Sequence, residues 1–186
     1  MTVSGTTIRD TSDAPAAVTG ERADLLEMLA EHRRFLRFTT RDLTDEQAAL
    51  RPTASDLCLG GLVKHLTSGE RSWAAFIVDG PSAMGDFTEM TEADLARRVD
   101  EYRMFPGETL EGLLADYAEA ARRTDELVTT LPDLDATQPL PKAPWFEGDV
   151  RWSARRVLMH IMTETAQHAG HADIIRESID GAKTMG

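Results

Sequence analysis

Residues 151–181 carry the sequence RWSARRVLMHIMTETAQHAGHADIIRESIDG, in which apolar side chains recur with the period of an α-helix. At about 100° per residue, Glu164 and His168 project from the same narrow arc as the apolar Val157. The opposite arc is charged and polar, so a water-facing side exists on which a carboxylate could lie. The pattern therefore predicts one long amphipathic helix whose inward face carries an acid and an imidazole.

An inward-facing Glu164 needs a compensating partner, because an unpaired carboxylate in an apolar interior is strongly destabilising. His168 follows one turn later, and side chains four residues apart are neighbours on a helix surface. The carboxylate and an imidazole nitrogen can therefore converge on one point, which is a spacing typical of metal ligands. Zinc-like sites take three or four N, O or S ligands, so we expect a further ligand from another helix, and His65 is the best candidate.

His65 lies within an arc of apolar side chains on a second predicted helix, residues 59–78. A single histidine in such a position is more often a hydrogen-bonded core residue than a ligand. The separate prediction that Glu164 and His168 face inward favours the metal interpretation for His65. His32 lies on the apolar side of the first helix without such support, and we interpret it as a core or boundary residue.

Composition limits the classes of function. The chain has 186 residues, of which 41% are hydrophobic, and this favours a single domain at 20–186 after a disordered lead-in at 1–19. The net charge of −12 without any basic run argues against nucleic acid as a partner. The single Cys58 excludes an intrachain disulfide and is interpreted as a small buried hydrophobe. With its longest apolar run at 73–78 and no signal-peptide pattern, the sequence predicts a cytoplasmic protein without membrane contact.

Helical periodicity organises the rest of the chain. Thr44 and Thr91 each begin a capping-box pattern that predicts a short helix, and no alternating β pattern is present. The predicted long helices span 20–40, 59–78, 110–131 and 151–181. The segment 79–107 is predicted to be a surface excursion that covers one end of a cleft, and 132–149 to be a folded loop that packs over the open end of the bundle. We therefore predict an all-α fold, an antiparallel up-down four-helix bundle with a site in its core.

Three motifs point to a known family: LGGLVKHL at 59–66, WFEGDVRW at 145–152 and VLMHIMTETAQHAGHADIIRESIDG at 157–181. With them the chain resembles the DinB-like superfamily over nearly its whole length after Gly20. It is most similar to an actinobacterial branch related to the mycothiol-dependent maleylpyruvate isomerases. The resemblance implies a metal triad of His65, Glu164 and His168, with the glutamate in a place where many members have a third histidine.

The resemblance also implies a chemistry. Three protein ligands leave a position open on a divalent ion, for which zinc is the first choice and nickel, manganese and iron are alternatives. The expected cosubstrate is a mycothiol-like low-molecular-weight thiol, which the metal activates for addition or S-transfer to a small electrophile, or for an isomerisation through such an adduct. His171 is the candidate catalytic residue as a proton shuttle, although a supporting, ligand or structural role stays open for it.

Two other classes of protein fit the same residues. A metal-binding or stress-associated bundle without turnover would hold an ion and show no thiol-dependent reaction. A purely structural dimerising bundle would leave Glu164 protonated and bind no metal. A homodimer is compatible with all three interpretations.

Overall fold

The computed structural model describes residues 18–144, 146 and 148–184, so residues 1–17 of the predicted lead-in lie outside the described part. Within these residues the chain is mostly helical, with one small antiparallel sheet. The elements in order are α1 (Glu21–Thr39), α2 (Asp45–Ala49), α3 (Leu59–Asp79), a 3₁₀ helix (Gly80–Ala83), α4 (Glu92–Asp100), α5 (Leu110–Thr130), β1 (Thr137–Pro139), β2 (Arg151–Ser153) and α6 (Ala154–Asp180).

Side-chain caps set where several helices begin. Thr44 and Thr91 accept hydrogen bonds from the backbone N–H three residues later, and the side chain at that position returns the bond, so both predicted capping boxes are confirmed. The sulfur of Cys58 caps α3 by a single hydrogen bond, which it accepts from the backbone N–H of Gly61 at 3.3 Å. Cys58 is buried, as predicted, and its thiol also has this local structural role.

The predicted start of the last helix at residue 151 is wrong. Arg151–Ser153 forms β2 and pairs antiparallel with β1, so that Trp152 lies opposite Gln138. The hydroxyl of Ser153 accepts the backbone N–H of Arg156 and caps α6, which fixes the first helical residue at 154. Strands of three residues are too short to produce a recognisable alternation in sequence, which explains why this pair was not predicted.

Two groups of buried side chains form the core. The first group is Leu25, Leu29, Phe76, Ile77, Val128, Leu134, Ala154, Val157, Leu158 and Ile161. The second group is Leu36, Leu59, Leu62, Val63, Leu66, Leu113, Tyr117, Ala172 and Ile175. Among the described helices, none has the length and apolar character that crossing a membrane requires.

The membership of these two groups shows the helix directions. Helices α1 and α6 contribute their first turns to the first group and their last turns to the second, so they run parallel. Helices α3 and α5 contribute in the opposite sense, so they run parallel to each other and antiparallel to α1 and α6. This order differs from the alternating up-down arrangement predicted from sequence, because the connection at 80–109 returns along the length of α3 before α5 begins.

The long connection is held against the first turns of α3 at two glycines. A Cβ on Gly61 would lie 1.9 Å from the carbonyl oxygen of Tyr102, and one on Gly60 would lie 2.6 Å from the sulfur of Met104. The thiol of Cys58 also donates to the Tyr102 carbonyl at 3.6 Å. Only glycine permits so close a backbone approach, and the connection therefore passes directly over α3.

A buried ion pair between Arg33 and Glu70 links α1 to α3. Arg33 donates to Glu70 at 2.5 Å, and its other guanidinium nitrogen donates to Asp125 of α5 at 2.8 Å. Removing one partner of such a pair destabilises the folded protein, since the other charge is then buried without compensation. The Arg33 network therefore couples three of the long helices.

Candidate metal centre and cleft

Helices α3 and α6 bring His65, Glu164 and His168 together. Each side chain offers one ligand atom, and these atoms all lie within 4.8 Å of one another. Within this set, Nε2 of His168 is 3.8 Å from a carboxylate oxygen of Glu164. The residues that the sequence spacing singled out therefore converge from two helices on one point.

The surroundings of Glu164 differ from the prediction of a core position. Its side chain is 36% exposed, whereas the His168 side chain is 12% exposed and that of His65 is 19% exposed. The prediction that Glu164 points into an apolar interior is wrong, because a cleft opens beside this part of α6. The carboxylate lies at the edge of that cleft, where a small molecule can reach it.

Burial favours the neutral form of two imidazoles on α6, those of His168 and His160. Desolvation first, and then the nearby His65, lowers the pKa of His168 to about 4. Desolvation also lowers the pKa of His160. His168 is therefore neutral at pH 7 and offers a lone pair, and a neutral imidazole beside a carboxylate is a donor set that suits a divalent zinc-like ion.

The cleft next to these residues has a volume of about 620 Å³. Its walls come from α3, α6, the connection at 80–109 and the segment around the small sheet. The excursion at 79–107 was predicted to cover one end of a cleft, whereas the loop at 132–149, predicted only to pack over the open end of the bundle, also contributes Pro141 and Phe146. The lining residues include His65, Gly69, Trp73, Arg98, Glu101, Tyr102, Phe146, Trp152, His160 and Glu164.

One wall of the cleft is aromatic. The rings of Trp73 and Trp152 stack with centroids 5.1 Å apart and an interplanar angle of 15°. The ring of His160 packs edge-on against both, with ring centroids 4.8 Å from Trp73 and 5.1 Å from Trp152.

The lining of the cleft carries more negative than positive charge. Arg98 is the only Lys or Arg among the described lining residues, which include three glutamates. The cleft is thus suited to an uncharged, apolar molecule rather than to an anion.

The opposite wall contains two residues that the sequence analysis missed, Glu101 and Tyr102. The Tyr102 ring stacks on His65 with centroids 4.2 Å apart, and its hydroxyl lies 3.1 Å from Nε2 of His65. A carboxylate oxygen of Glu101 is 3.7 Å from Nδ1 of the same imidazole, and the other accepts from Ser68 at 3.1 Å. His65, followed by Ser68, lowers the pKa of Glu101, whereas desolvation and then Glu164 raise that of Tyr102.

His171, the candidate proton shuttle, lies behind the metal-binding candidates. Its Nδ1 is 3.3 Å from Nδ1 of His168, and neither of these two imidazoles is among the residues that line the cleft. A hydrogen bond at this nitrogen orients His168 so that its Nε2 faces Glu164. His32 packs against Phe35 on α1, as a boundary residue does.

Comparisons with known proteins agree with this arrangement. The model of the mycothiol-S-transferase family matches residues 24–181. A crystal structure described as that of the conserved protein of locus from Enterococcus faecalis superposes with a TM-score of 0.64 at 13% sequence identity, covering 89% of this chain and 100% of that chain. At this identity the likeness shows a shared fold. No curated protein matches the chain.

Proposed function

The chain belongs to the mycothiol-S-transferase family, a DinB-like family, and from this premise we propose that it is a divalent-metal-dependent thiol S-transferase. Its cosubstrate is a mycothiol-like thiol, and its acceptor is a small electrophile that enters the cleft. The observation that supports the proposal most strongly is the convergence of three ligand atoms within 4.8 Å of one another beside a cleft of about 620 Å³.

His65, Glu164 and His168 would hold the ion, with zinc as the first choice. Two imidazoles and one carboxylate match the donor set of catalytic zinc sites, which keep a position open for a reactant. A bound divalent ion supplies Lewis acidity, which lowers the pKa of a thiol at the open position. His171 is a positioning residue in this proposal, since it contacts His168 and is not one of the three side chains whose ligand atoms converge.

The reaction forms one S–C bond. The thiol loses its proton to solvent water, and the sulfur donates an electron pair to the electrophilic carbon of the acceptor. In an addition the acceptor takes up a proton, and in a substitution the leaving group departs with its bonding electrons. The hydroxyl of Tyr102 lies at the cleft and is placed to hold a proton near the reacting atoms.

The acceptor is an uncharged molecule with an apolar or aromatic part. The wall of Trp73, Trp152 and His160 offers apolar contact and excludes water from that side. The carboxylates of Glu101 and Glu164, which line the cleft, disfavour anions. We assign the four long helices to the DinB-like four-helix bundle, and we expect a cytoplasmic protein that is compatible with a homodimer.

A screen of thiols against electrophiles tests the proposed reaction. We expect mycothiol, with uncharged aromatic electrophiles, to be consumed faster than the uncatalysed rate by the zinc-loaded protein. The turnover should disappear with a chelator and return with added metal, because a bound ion would supply the Lewis acidity that thiol activation requires. Product formation is measured by chromatography and mass spectrometry.

Glu164→Gln, loaded with zinc as far as it binds, is the control for this screen. Thiol consumption at the uncatalysed rate across a broad acceptor panel, with zinc still bound to the wild type, would contradict the enzyme and favour the non-catalytic metal-binding class. Rearrangement of the acceptor with no net loss of thiol would instead identify an isomerase.

Glu164→Gln should also lower the melting temperature of the zinc-loaded protein. An ion present at one hundred times its dissociation constant adds about 2.7 kcal/mol to stability, and this contribution falls when the carboxylate ligand is lost. The chelated protein should change little, because the Glu164 side chain is 36% exposed and its charge is not strongly desolvated. Thermal denaturation with and without chelator measures both effects.

Glu177→Gln on the exposed side of α6 is the matched control, since it removes the same charge from a surface pair with Lys183. A higher melting temperature of Glu164→Gln in both conditions would mean that Glu164 is a destabilising acid rather than a ligand, and the metal site would be rejected.

A further inference from the structure

The connection at 80–109 places two adjacent side chains on both nitrogens of His65. Tyr102 lies at Nε2, at 3.1 Å, and Glu101 lies at Nδ1, at 3.7 Å. No pattern of spacing relates these residues to His65 in sequence, and nothing in the proposed reaction requires Glu101. Their joint contact with one imidazole needs an explanation of its own.

Nδ1 of His65 is a buried polar atom without a hydrogen-bond partner among the described residues. Such atoms are rare in folded proteins, and each calls for a reason. The Glu101 carboxylate is beyond hydrogen-bond distance, but it is held nearby through Ser68, which donates to its other oxygen. An approach of a few tenths of an ångström would bring the carboxylate oxygen and Nδ1 within hydrogen-bond distance.

The charge of Glu101 decides which nitrogen of His65 carries the proton. If Nδ1 presented its lone pair, that lone pair would face a carboxylate, and the two would repel. With the proton on Nδ1, the carboxylate is an acceptor and Nε2 keeps the free lone pair. The hydroxyl of Tyr102 then donates to Nε2.

Nε2 is therefore the nitrogen of His65 that can bind a cation. Glu101 does not belong to the group of side chains whose ligand atoms lie within 4.8 Å of one another, although it lies beside Nδ1. Tyr102, on the Nε2 edge, has its ring 6.3 Å from that of His168. These placements are consistent with the Nε2 edge, rather than the Nδ1 edge, being turned toward the other two candidate ligands.

We propose that Glu101 is a positioning residue that holds the proton of His65 on Nδ1, and that the Tyr102 hydroxyl occupies Nε2 until a divalent cation replaces it. The inference rests on the proposed metal role of His65. A single lone pair cannot accept a hydrogen bond and bind a cation at once, so the hydroxyl of Tyr102 and the ion compete for it. Once displaced, that hydroxyl is free to donate into the cleft.

Loss of the Glu101 carboxylate should weaken zinc binding, whereas loss of the Tyr102 hydroxyl should not. Glu101→Leu should weaken zinc binding by about 10–100-fold, the loss typical when the outer hydrogen bond of a ligating histidine is removed. Tyr102→Phe keeps the ring stack but removes the competing hydroxyl, so it should bind zinc as tightly as the wild type or more tightly. Competition with a chromophoric chelator measures both dissociation constants.

Asp100→Asn is the matched control, because it removes the same charge one residue away without a contact to His65.

Nitrogen-15 NMR of the chelated protein measures the tautomer of His65 directly. The wild type should show His65 protonated at Nδ1, and Glu101→Leu should show a mixture of the two tautomers. A structural role for Glu101 would lower stability without changing this tautomer signal.

Unchanged zinc affinity in Glu101→Leu, an equal loss in Asp100→Asn, or a Tyr102→Phe protein that binds zinc more weakly than the wild type would each overturn the inference. In those cases the zinc affinity and turnover of the wild type would still support the proposed function. If the wild type itself binds no zinc, the proposed function fails first.

Discussion

Gly61→Ala is expected to destabilise the protein by about 2–3 kcal/mol and to weaken metal binding at the same time. A Cβ at this position would lie 1.9 Å from the carbonyl oxygen of Tyr102, so the neighbour that must move is backbone rather than a flexible side chain. Moving that backbone withdraws Tyr102 and Glu101 from His65. Denaturant unfolding of the chelated protein and zinc competition measure the two effects separately.

Gly69→Ala on the same helix is the matched control. A Cβ at Gly69 meets no atom within 4 Å, and glycine inside a helix is less favourable than alanine by about 0.5–1 kcal/mol. The control should therefore be as stable as the wild type or more stable. A Gly61→Ala protein with the stability of Gly69→Ala would show that the connection does not press on α3 as described.

Replacing either histidine of the triad, in His65→Ala or His168→Ala, should abolish most metal binding. Two remaining side chains hold a divalent ion only loosely, because stable sites need three or four protein ligands. We expect zinc affinity to fall by more than about a hundredfold, beyond the loss that follows removal of an outer hydrogen bond. Zinc competition measures the change, and His32→Ala is the control because His32 contacts Phe35 on α1.

The sequence predicted the long helices and the three converging residues because both depend on local periodicity. The inward arc of 151–181 is a property of helix geometry alone, and the side-chain caps at Thr44 and Thr91 mark where helices begin. His65 could be selected because only a polar residue on a facing helix can complete a site begun by Glu164 and His168.

Other features depend on contacts that no local pattern encodes. The strand at Arg151–Ser153 exists because it pairs with Thr137–Pro139, and the parallel course of α3 and α5 depends on where the connection at 80–109 packs. Gly60 and Gly61 are the one local sign of that packing, since adjacent glycines in a helix permit a close approach. The exposure of Glu164 likewise follows from the cleft rather than from the helix.

The contacts around His65 likewise depend on packing between segments that are distant in sequence. Glu101 and Tyr102 lie 36 and 37 residues away along the chain, and only the return of the connection over α3 brings them to the imidazole. Their types are ordinary for a surface segment, so the sequence alone gave no reason to select them. The aromatic wall has the same origin, because β2 places Trp152 beside Trp73.

Elemental analysis of purified protein tests the central claim most directly, that His65, Glu164 and His168 hold one divalent ion. Wild type, His65→Ala, His168→Ala and His32→Ala are purified from metal-supplemented cultures and dialysed together before inductively coupled plasma mass spectrometry. The account predicts about one divalent ion per chain in the wild type and His32→Ala, and little in the two triad variants. Equal metal content in all four proteins, or none in the wild type, would contradict it.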